Sequence, residues 1–146
     1  MTYILDSNIL IYLVRENSSV ISTLDEMDVF GANVSSISFA SFGESLAFAL
    51  KNKWGTSKIA RLEFLLKRIP NLEIAGRPLA DAYAEIDAFS QRRHPTLKST
   101  FSARNMGKND LWIAATAHLS DATLLTTDND FDHLSPHFFK IQKIAV

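Results

Sequence analysis

Three acidic residues come after predicted strands, and a fourth opens a predicted helix. Asp6 follows a short apolar run, and Glu44 lies about one turn into the helix after a second strand. Asp110 opens a predicted helix, and Asp128 follows the apolar strand that ends at Thr126. If these four carboxylates converge, their mutual repulsion requires either a bound proton or a neutralising cation.

The donor chemistry of these acids favours a hard divalent ion. The chain has no cysteine, and oxygen ligands alone are typical of Mg²⁺ or Mn²⁺ sites. Such an ion orients a phosphate, activates a water and stabilises the leaving oxygen. The chemistry that fits is hydrolysis of a phosphodiester, with water as the nucleophile. For the fourth acid, Asp130 is an alternative to Asp128, which we favour because it comes first after the strand.

Taken singly, each acid has a simpler interpretation. Asp6 and Asp110 are suitable helix-capping residues, and Glu44 suits an exposed helix face. Asp128 and its alternative would serve as turn formers. Their joint placement favours a shared site, because α/β sheets bind ligands beyond the carboxyl ends of their strands.

The elements that must position these acids alternate between strand and helix. Strand patterns cover residues 3–5, 33–37, 72–75, 122–126 and 138–146. Helical spacing of apolar residues covers about 9–14, 20–27, 39–50, 57–68, 79–91 and 110–119. This alternation predicts an α/β sandwich around a mainly parallel sheet. With 146 residues, 47% of them hydrophobic, we expect one domain over residues 1–146.

A polar and basic loop, from about residue 92 to 107, leads into Asp110. The formal net charge of −1 excludes a strongly basic coat, so any contact with nucleic acid needs a local basic strip or a metal. The cations of this strip are candidate contacts to a phosphate backbone. They are Arg92, Arg93, Lys98, Arg104 and Lys108. The alternative is a solvated loop.

The hydropathy pattern gives no indication of a membrane protein. No apolar run reaches the roughly 18–20 residues needed to span a bilayer. The first residues lack the basic region of a signal peptide. We therefore expect a soluble protein of the cytoplasm, with no membrane partner.

Four segments carry a resemblance to a known family. The stretch Tyr3–Leu10 resembles the opening motif of PIN-domain nucleases, and Ile37–Glu44 resembles their second motif. Gly107–Ala115 is similar to the third motif and Thr126–Phe131 to the fourth. Their order and spacing match over almost the whole chain, and its size resembles that of VapC-type toxins of bacterial toxin–antitoxin pairs.

The resemblance implies both a fold and an activity. The fold would be a PIN-like three-layer sandwich, with a mainly parallel central sheet flanked by helices. The activity would be that of a Mg²⁺- or Mn²⁺-dependent endoribonuclease, inhibited by a cognate antitoxin protein. By position, the catalytic and metal-binding acids would be Asp6, Glu44, Asp110 and Asp128, with the first and third as principal ligands. Ser7 and Asn8 would supply a supporting hydroxyl and amide.

Two other functions remain compatible with the same residues. One is a non-catalytic module that keeps the fold and binds RNA or a protein; the other is a nuclease directed at DNA. The apolar helices between Phe39 and Leu66 further predict a homodimer, and a partner that lays a helix into a groove.

Overall fold

Five parallel strands form the central sheet in the computed structural model, which describes all 146 residues. The strands are β1 (Thr2–Leu5), β2 (Val34–Ser38), β3 (Asn71–Leu72), β4 (Thr123–Thr126) and β5 (Ile141–Lys143). They lie in the order β3-β2-β1-β4-β5. The helices are α1 (Ser7–Val14), α2 (Ser18–Glu26), α3 (Phe39–Lys51), α4 (Thr56–Arg68), α5 (Arg77–Ser90) and α6 (Lys108–Ser120). A short 3₁₀ helix covers Asp132–Leu134.

The alternation of side chains along the strands divides the core into two halves. Tyr3 and Leu5 of β1 join one buried cluster, which α1, α2, α3 and α4 cover. Ile4 joins the other, which α5 and α6 cover. Successive strand residues point to opposite faces of a sheet, so an uninterrupted apolar strand packs against helices on both sides. This confirms the predicted three-layer α/β sandwich, with every strand pair parallel.

Local signals in the sequence mark several helix ends. The Asn17 side chain accepts a hydrogen bond from the Val20 amide at 3.0 Å and so caps α2. The Gly76 backbone has a φ of +85°, a conformation that glycine adopts at little cost, and it turns the chain into α5. Pro70 follows the end of α4. None of the helices combines the length and apolar character needed to cross a lipid bilayer.

Two predicted strands are wrong in extent. The strand predicted over 72–75 is only Asn71–Leu72, because its partner β2 ends at Ser38, which pairs with Leu72 and caps α3. The strand predicted over 138–146 is only Ile141–Lys143. Phe138 and Phe139 are both buried in the same half of the core, so they do not alternate as strand residues do.

Candidate active site

The carboxyl ends of β1, β2 and β4 meet at one edge of the sheet, and the predicted acids lie there. Asp6 follows β1 directly and Asp128 comes two residues after β4. Glu44 stands on α3, which begins directly after β2. Asp110 stands on α6, which packs against α3 and β2. Because parallel strands share a polarity, the segments that follow β1, β2 and β4 bring Asp6, Glu44 and Asp128 to the same edge, and α6 adds Asp110.

Asp6 is a buried carboxylate held at both oxygens. Its Oδ1 accepts a hydrogen bond from the Ser7 amide, and its Oδ2 accepts one from the Thr126 hydroxyl, each at 2.7 Å. Burial raises the pKa of Asp6 to about 6, against the opposing effect of these two hydrogen bonds. The negative charges of Asp128 and Glu44 raise it further. The Asp6 carboxylate is therefore held in one orientation, but no positively charged side chain pairs with it.

A chain of hydroxyl groups connects Glu44 to the end of β1. Ser7 Oγ donates to Glu44 Oε1 at 2.5 Å and lies 3.2 Å from Ser41 Oγ. Ser41 in turn lies 3.3 Å from Ser38 Oγ, the cap of α3. Ser7 of the first motif thus orients the glutamate, and Ser41 and Ser38 of the second motif in turn hold Ser7.

The prediction that Asp110 opens its helix is wrong by two residues, since α6 begins at Lys108. Gly107 is the N-cap, and its extended backbone (φ −61°, ψ 150°) starts α6 at Lys108. Asp110 therefore lies in the first turn instead of capping it. Its carboxylate is free of the capping role and available to the site.

The carboxylates of the site repel one another electrostatically. Burial raises the pKa of Asp110 to about 7, and the charges of four other carboxylates contribute. In decreasing order of effect these are Asp6, Glu44, Asp128 and Asp130. Both candidate fourth acids thus act on Asp110, and only Asp128 also acts on Asp6. The assignment of Asp128 as the fourth acid stays a prediction.

The turn after β4 is fixed from two sides. The Asp128 amide donates to Thr126 Oγ1 at 3.2 Å, so one hydroxyl connects Asp128 with Asp6. From β5, the Lys143 ammonium donates to the Asp128 carbonyl oxygen at 2.5 Å. It also donates to Asn129 Oδ1 at 2.7 Å and to Asp132 Oδ1 at 2.6 Å.

Asp130 lies on this turn, and its amide donates to Asp128 Oδ1 at 2.6 Å. One of the carboxylate oxygens of Asp128 is thus occupied by a neighbouring backbone group. These hydrogen bonds hold the turn that carries Asp128 and Asp130 in a defined conformation.

The oxygen donors of these residues are of the type that binds a divalent cation, but their arrangement does not enclose one. Carboxylate oxygens are the ligands that hard cations prefer. Burial and the neighbouring carboxylates raise the pKa values of Asp6 and Asp110, so a cation bound here would favour their ionised forms. The buried Oδ1 of Asn8 has no hydrogen-bond partner and is a further free oxygen. However, no three Asp, Glu, His or Cys side chains lie close enough together to enclose a metal ion.

The predicted basic residues divide into two groups. Arg104 lines a cavity beside Asp110, and Lys108 is the first residue of α6. All five residues are exposed, and only Arg104 lines a cavity; Arg92, Arg93, Lys98 and Lys108 line none. Their contact with RNA stays a prediction.

Sequence reasoning missed three residues of the site. Thr126 and Ser41 lie within the fourth and second motifs but are assigned no role from the sequence, and Lys143 is treated as part of an edge strand. For Thr126 a signal was available, since a hydroxyl residue at the end of an apolar strand sits beside any acid that follows the neighbouring strand. Nothing in the sequence marks Lys143.

Comparison with known proteins identifies the family. The profile of the PIN domain matches residues 3–135. The chain belongs to the PIN-domain family. PIN domains are typically metal-dependent nucleases, and the family and fold predicted from the four motifs are confirmed. A comparison with curated protein sequences gives no significant match.

Solved structures with this fold include several complexes of toxin–antitoxin type. The chain matches a structure of VapBC2 from Rickettsia felis bound to a promoter DNA fragment, with a TM-score of 0.80 and 21% identity over 99% of both chains. It matches VapBC-1 from nontypeable Haemophilus influenzae with a TM-score of 0.71 and 24% identity over 98% of both. FitAcB from Neisseria gonorrhoeae gives 0.68 and 21% over 95% of both. This PIN domain therefore shares their fold over nearly its full length.

Proposed function

We propose that this PIN domain is a cytoplasmic endoribonuclease that requires Mg²⁺ or Mn²⁺, and that it is the toxin of a toxin–antitoxin pair. The observation that carries the proposal is that Asp6, Glu44, Asp110 and Asp128 come together at one edge of the sheet, where their charges act on one another. Structural acids seldom accumulate uncompensated charge, because a buried unpaired carboxylate is costly.

In the proposed reaction, Asp6 and Asp110 are the principal metal ligands, and Glu44 and Asp128 complete the site. A bound divalent ion supplies Lewis acidity for phosphate and water. The protein's own contribution is orientation. Thr126 and the Ser7 amide fix both oxygens of Asp6, and binding requires other carboxylates to rotate towards it, since no three are within reach.

The first prediction is that the purified protein cleaves single-stranded RNA when Mg²⁺ or Mn²⁺ is present and not when EDTA is present. The assay compares RNA with DNA of the same sequence, and the parent with Glu44→Gln, which keeps an acceptor for the Ser7 hydroxyl but removes the charge. Glu44→Gln should cleave far more slowly.

Two outcomes of this assay would support the rival functions. Cleavage of DNA but not RNA would identify a DNA-directed nuclease. Binding of RNA without cleavage under any metal condition would identify a non-catalytic module and refute the proposal.

The antitoxin part of the proposal is supported by the solved structures of the same fold. Among them are VapBC and FitAB complexes and one described as a toxin–antitoxin complex from Klebsiella pneumoniae. We expect the partner to be encoded next to this gene and to inhibit cleavage in the assay above. A DNA-binding start and an amphipathic tail are the features to seek in that neighbouring protein.

We also predict that the protein is a homodimer at micromolar concentration. Phe39 and Leu50 on α3 and Phe64 on α4 are 57%, 79% and 61% exposed, and large exposed apolar side chains favour association. Light scattering after gel filtration should give twice the chain mass. Phe64→Glu should shift the mass towards the monomer.

A matched control for the dimer is Val34→Glu. Val34 is 60% exposed but begins β2, away from these two helices. A monomeric mass for the parent protein, or equal dissociation by both variants, would contradict a dimer built on α3 and α4.

A further inference from the structure

A polar cavity of about 320 Å³ opens beside the acid site. Its lining residues are Arg104, Asn105, Met106, Gly107, Asp110 and Asp130. One wall thus comes from the end of the basic loop and the other from two acids. The cavity is of a size to admit a phosphate group with part of its sugar, and it reaches one of the proposed metal ligands.

Arg104 is the positively charged residue that lines this cavity, and its guanidinium forms no ion pair or hydrogen bond within the protein. It forms no ion pair, although Asp110 and Asp130 line the same space. Its side chain donates no hydrogen bond within the protein, whereas Arg61 and Arg77 both do. A guanidinium carries five N–H donors in a planar fork that matches phosphate geometry. All five are therefore available to a ligand.

The backbone at Arg104 is clamped to the end of α5. The Arg104 amide donates to the Ser90 carbonyl oxygen at 2.7 Å. The Ser90 hydroxyl, which is fully buried, lies 3.2 Å from Met106 Sδ and 2.8 Å from His133 Nε2. Phe101 packs edge-on against the His133 ring with centroids 4.9 Å apart. The loop is held on both sides of Arg104.

His133 takes part in this clamp as a neutral ring. Burial lowers the pKa of His133 to about 4, and the nearby positive charge of Arg104 lowers it further. The Arg104 guanidinium thus lies close enough to His133 for its charge to act on the ring. A neutral imidazole adds no charge that would compete with Arg104 for an anion.

A second source of positive potential lines the same cavity. Gly107 is the N-cap of α6 and has no side chain to cap the helix. The first amides of a helix lack intrahelical partners, and the helix dipole is positive at this end. The first amides of α6 and the Arg104 guanidinium therefore both favour the binding of an anion in this cavity.

We propose that this cavity binds a phosphate of single-stranded RNA next to the phosphate that is cleaved, with Arg104 as its ligand and Ser90 as the residue that positions the loop. The assignment rests on the proposed nuclease function. It distinguishes Arg104 from Arg92, Arg93 and Lys98, which lie on the same loop region but outside the cavity.

The first test is binding of a fluorescent single-stranded RNA, measured by anisotropy in EDTA over a range of salt. Arg104→Gln should weaken binding about tenfold at low salt, the effect of losing one charged hydrogen-bonding group. It should also reduce the slope of log K against log salt by about 0.7, the value for one phosphate contact on a single strand.

The matched control is Arg68→Gln. Arg68 is exposed at the end of α4 and pairs with no acid, so the variant makes the same change of net charge elsewhere. Its binding and salt slope should stay those of the parent. An unaltered slope for Arg104→Gln, an equal loss for Arg68→Gln, or no binding by the parent would overturn the proposal.

The role of Ser90 is tested with a double-mutant cycle. Ser90→Ala removes the hydroxyl between Met106 and His133 and should weaken RNA binding in the parent, but hardly at all in Arg104→Gln. Coupled residues depart from additivity in this way. Equal losses in both backgrounds, or a lower melting temperature with no change in binding, would refute the positioning role.

Cleavage kinetics separate this proposal from the nuclease proposal. A protein that binds RNA through Arg104 yet cleaves nothing would refute the nuclease and keep the phosphate site. A protein that cleaves RNA with the same kcat/KM and the same salt slope in Arg104→Gln would refute the phosphate site and keep the nuclease.

Discussion

Replacing Asp6 by asparagine is expected to stop RNA cleavage while RNA binding persists. The asparagine Oδ1 can accept the hydrogen bond from the Ser7 amide, and its Nδ2 can donate to the Thr126 hydroxyl oxygen, so both contacts of Asp6 can be kept while the charge is lost. Removing a preorganised group that stabilises charge in the transition state typically costs about 10²–10³-fold in kcat. Single-turnover cleavage with saturating Mn²⁺ measures the loss.

The matched control is Asp25→Asn, an equal change of charge at an exposed position on α2, which should cleave as the parent does. Anisotropy on the same RNA should show that Asp6→Asn binds as well as the parent or better, because a negative charge has been removed near the phosphates. An Asp6→Asn protein that cleaves at the parental rate would refute the nuclease proposal.

Asp110→Asn is expected to remove most of the thermal stabilisation by divalent cations. A ligand that binds only the folded state stabilises it by about 2.7 kcal/mol at 100 times its Kd. For a domain of this size, that corresponds to a rise in melting temperature of about 5–10 °C. The parent should show this rise with Mn²⁺, and Asp110→Asn should show little of it.

Without metal, the same substitution should make the protein more stable at neutral pH. The pKa of Asp110 is raised from 3.8 to about 7 in the folded state and that of Asp6 to about 6, so the folded protein binds protons more tightly than the unfolded chain. Its free energy of unfolding should therefore fall as pH rises from about 4 to 7. Asp110→Asn should flatten the upper part of this decline.

Thermal melts at pH 4 and pH 7.5, with EDTA or Mn²⁺, test both effects. Metal should act in the opposite sense to the proton, since deprotonated carboxylates bind cations better. Asp25→Asn again serves as the control for charge alone. An Asp110→Asn protein that keeps the full response to Mn²⁺ would contradict the assignment of this residue as a ligand.

Features that depend on near neighbours in the chain could be predicted from the sequence. The apolar run at Tyr3–Leu5 predicts a buried strand, Pro70 marks the end of α4, and Asp6 and Asp128 follow strands as predicted. The extent of β3 could not be predicted in this way, because it is limited by where β2 stops. An edge strand has one neighbouring strand, so it can form ladder hydrogen bonds only as far as that neighbour extends.

The supporting residues of the site could not be predicted for the same physical reason. The hydroxyl of Thr126 donates to a carboxylate 120 positions away, whereas a threonine in a strand is ordinary β-sheet composition. Lys143 resembles a solvated cation until its three acceptors on the turn after β4 are known. Asp110 was misplaced because aspartate is itself a good cap, and a glycine took that role.

The order in which the sheet is assembled bears on synthesis at the ribosome. β1 lies between β2 and β4, so the first strand to emerge waits for residues 123–126 before its second edge is paired. Asp6 gains its Thr126 contact only then, and the Asp128 turn gains its anchor only with β5. Contacts between such distant segments form late because long loops must close first. A chain still on the ribosome therefore lacks the complete proposed site until β4 and β5 have been synthesised.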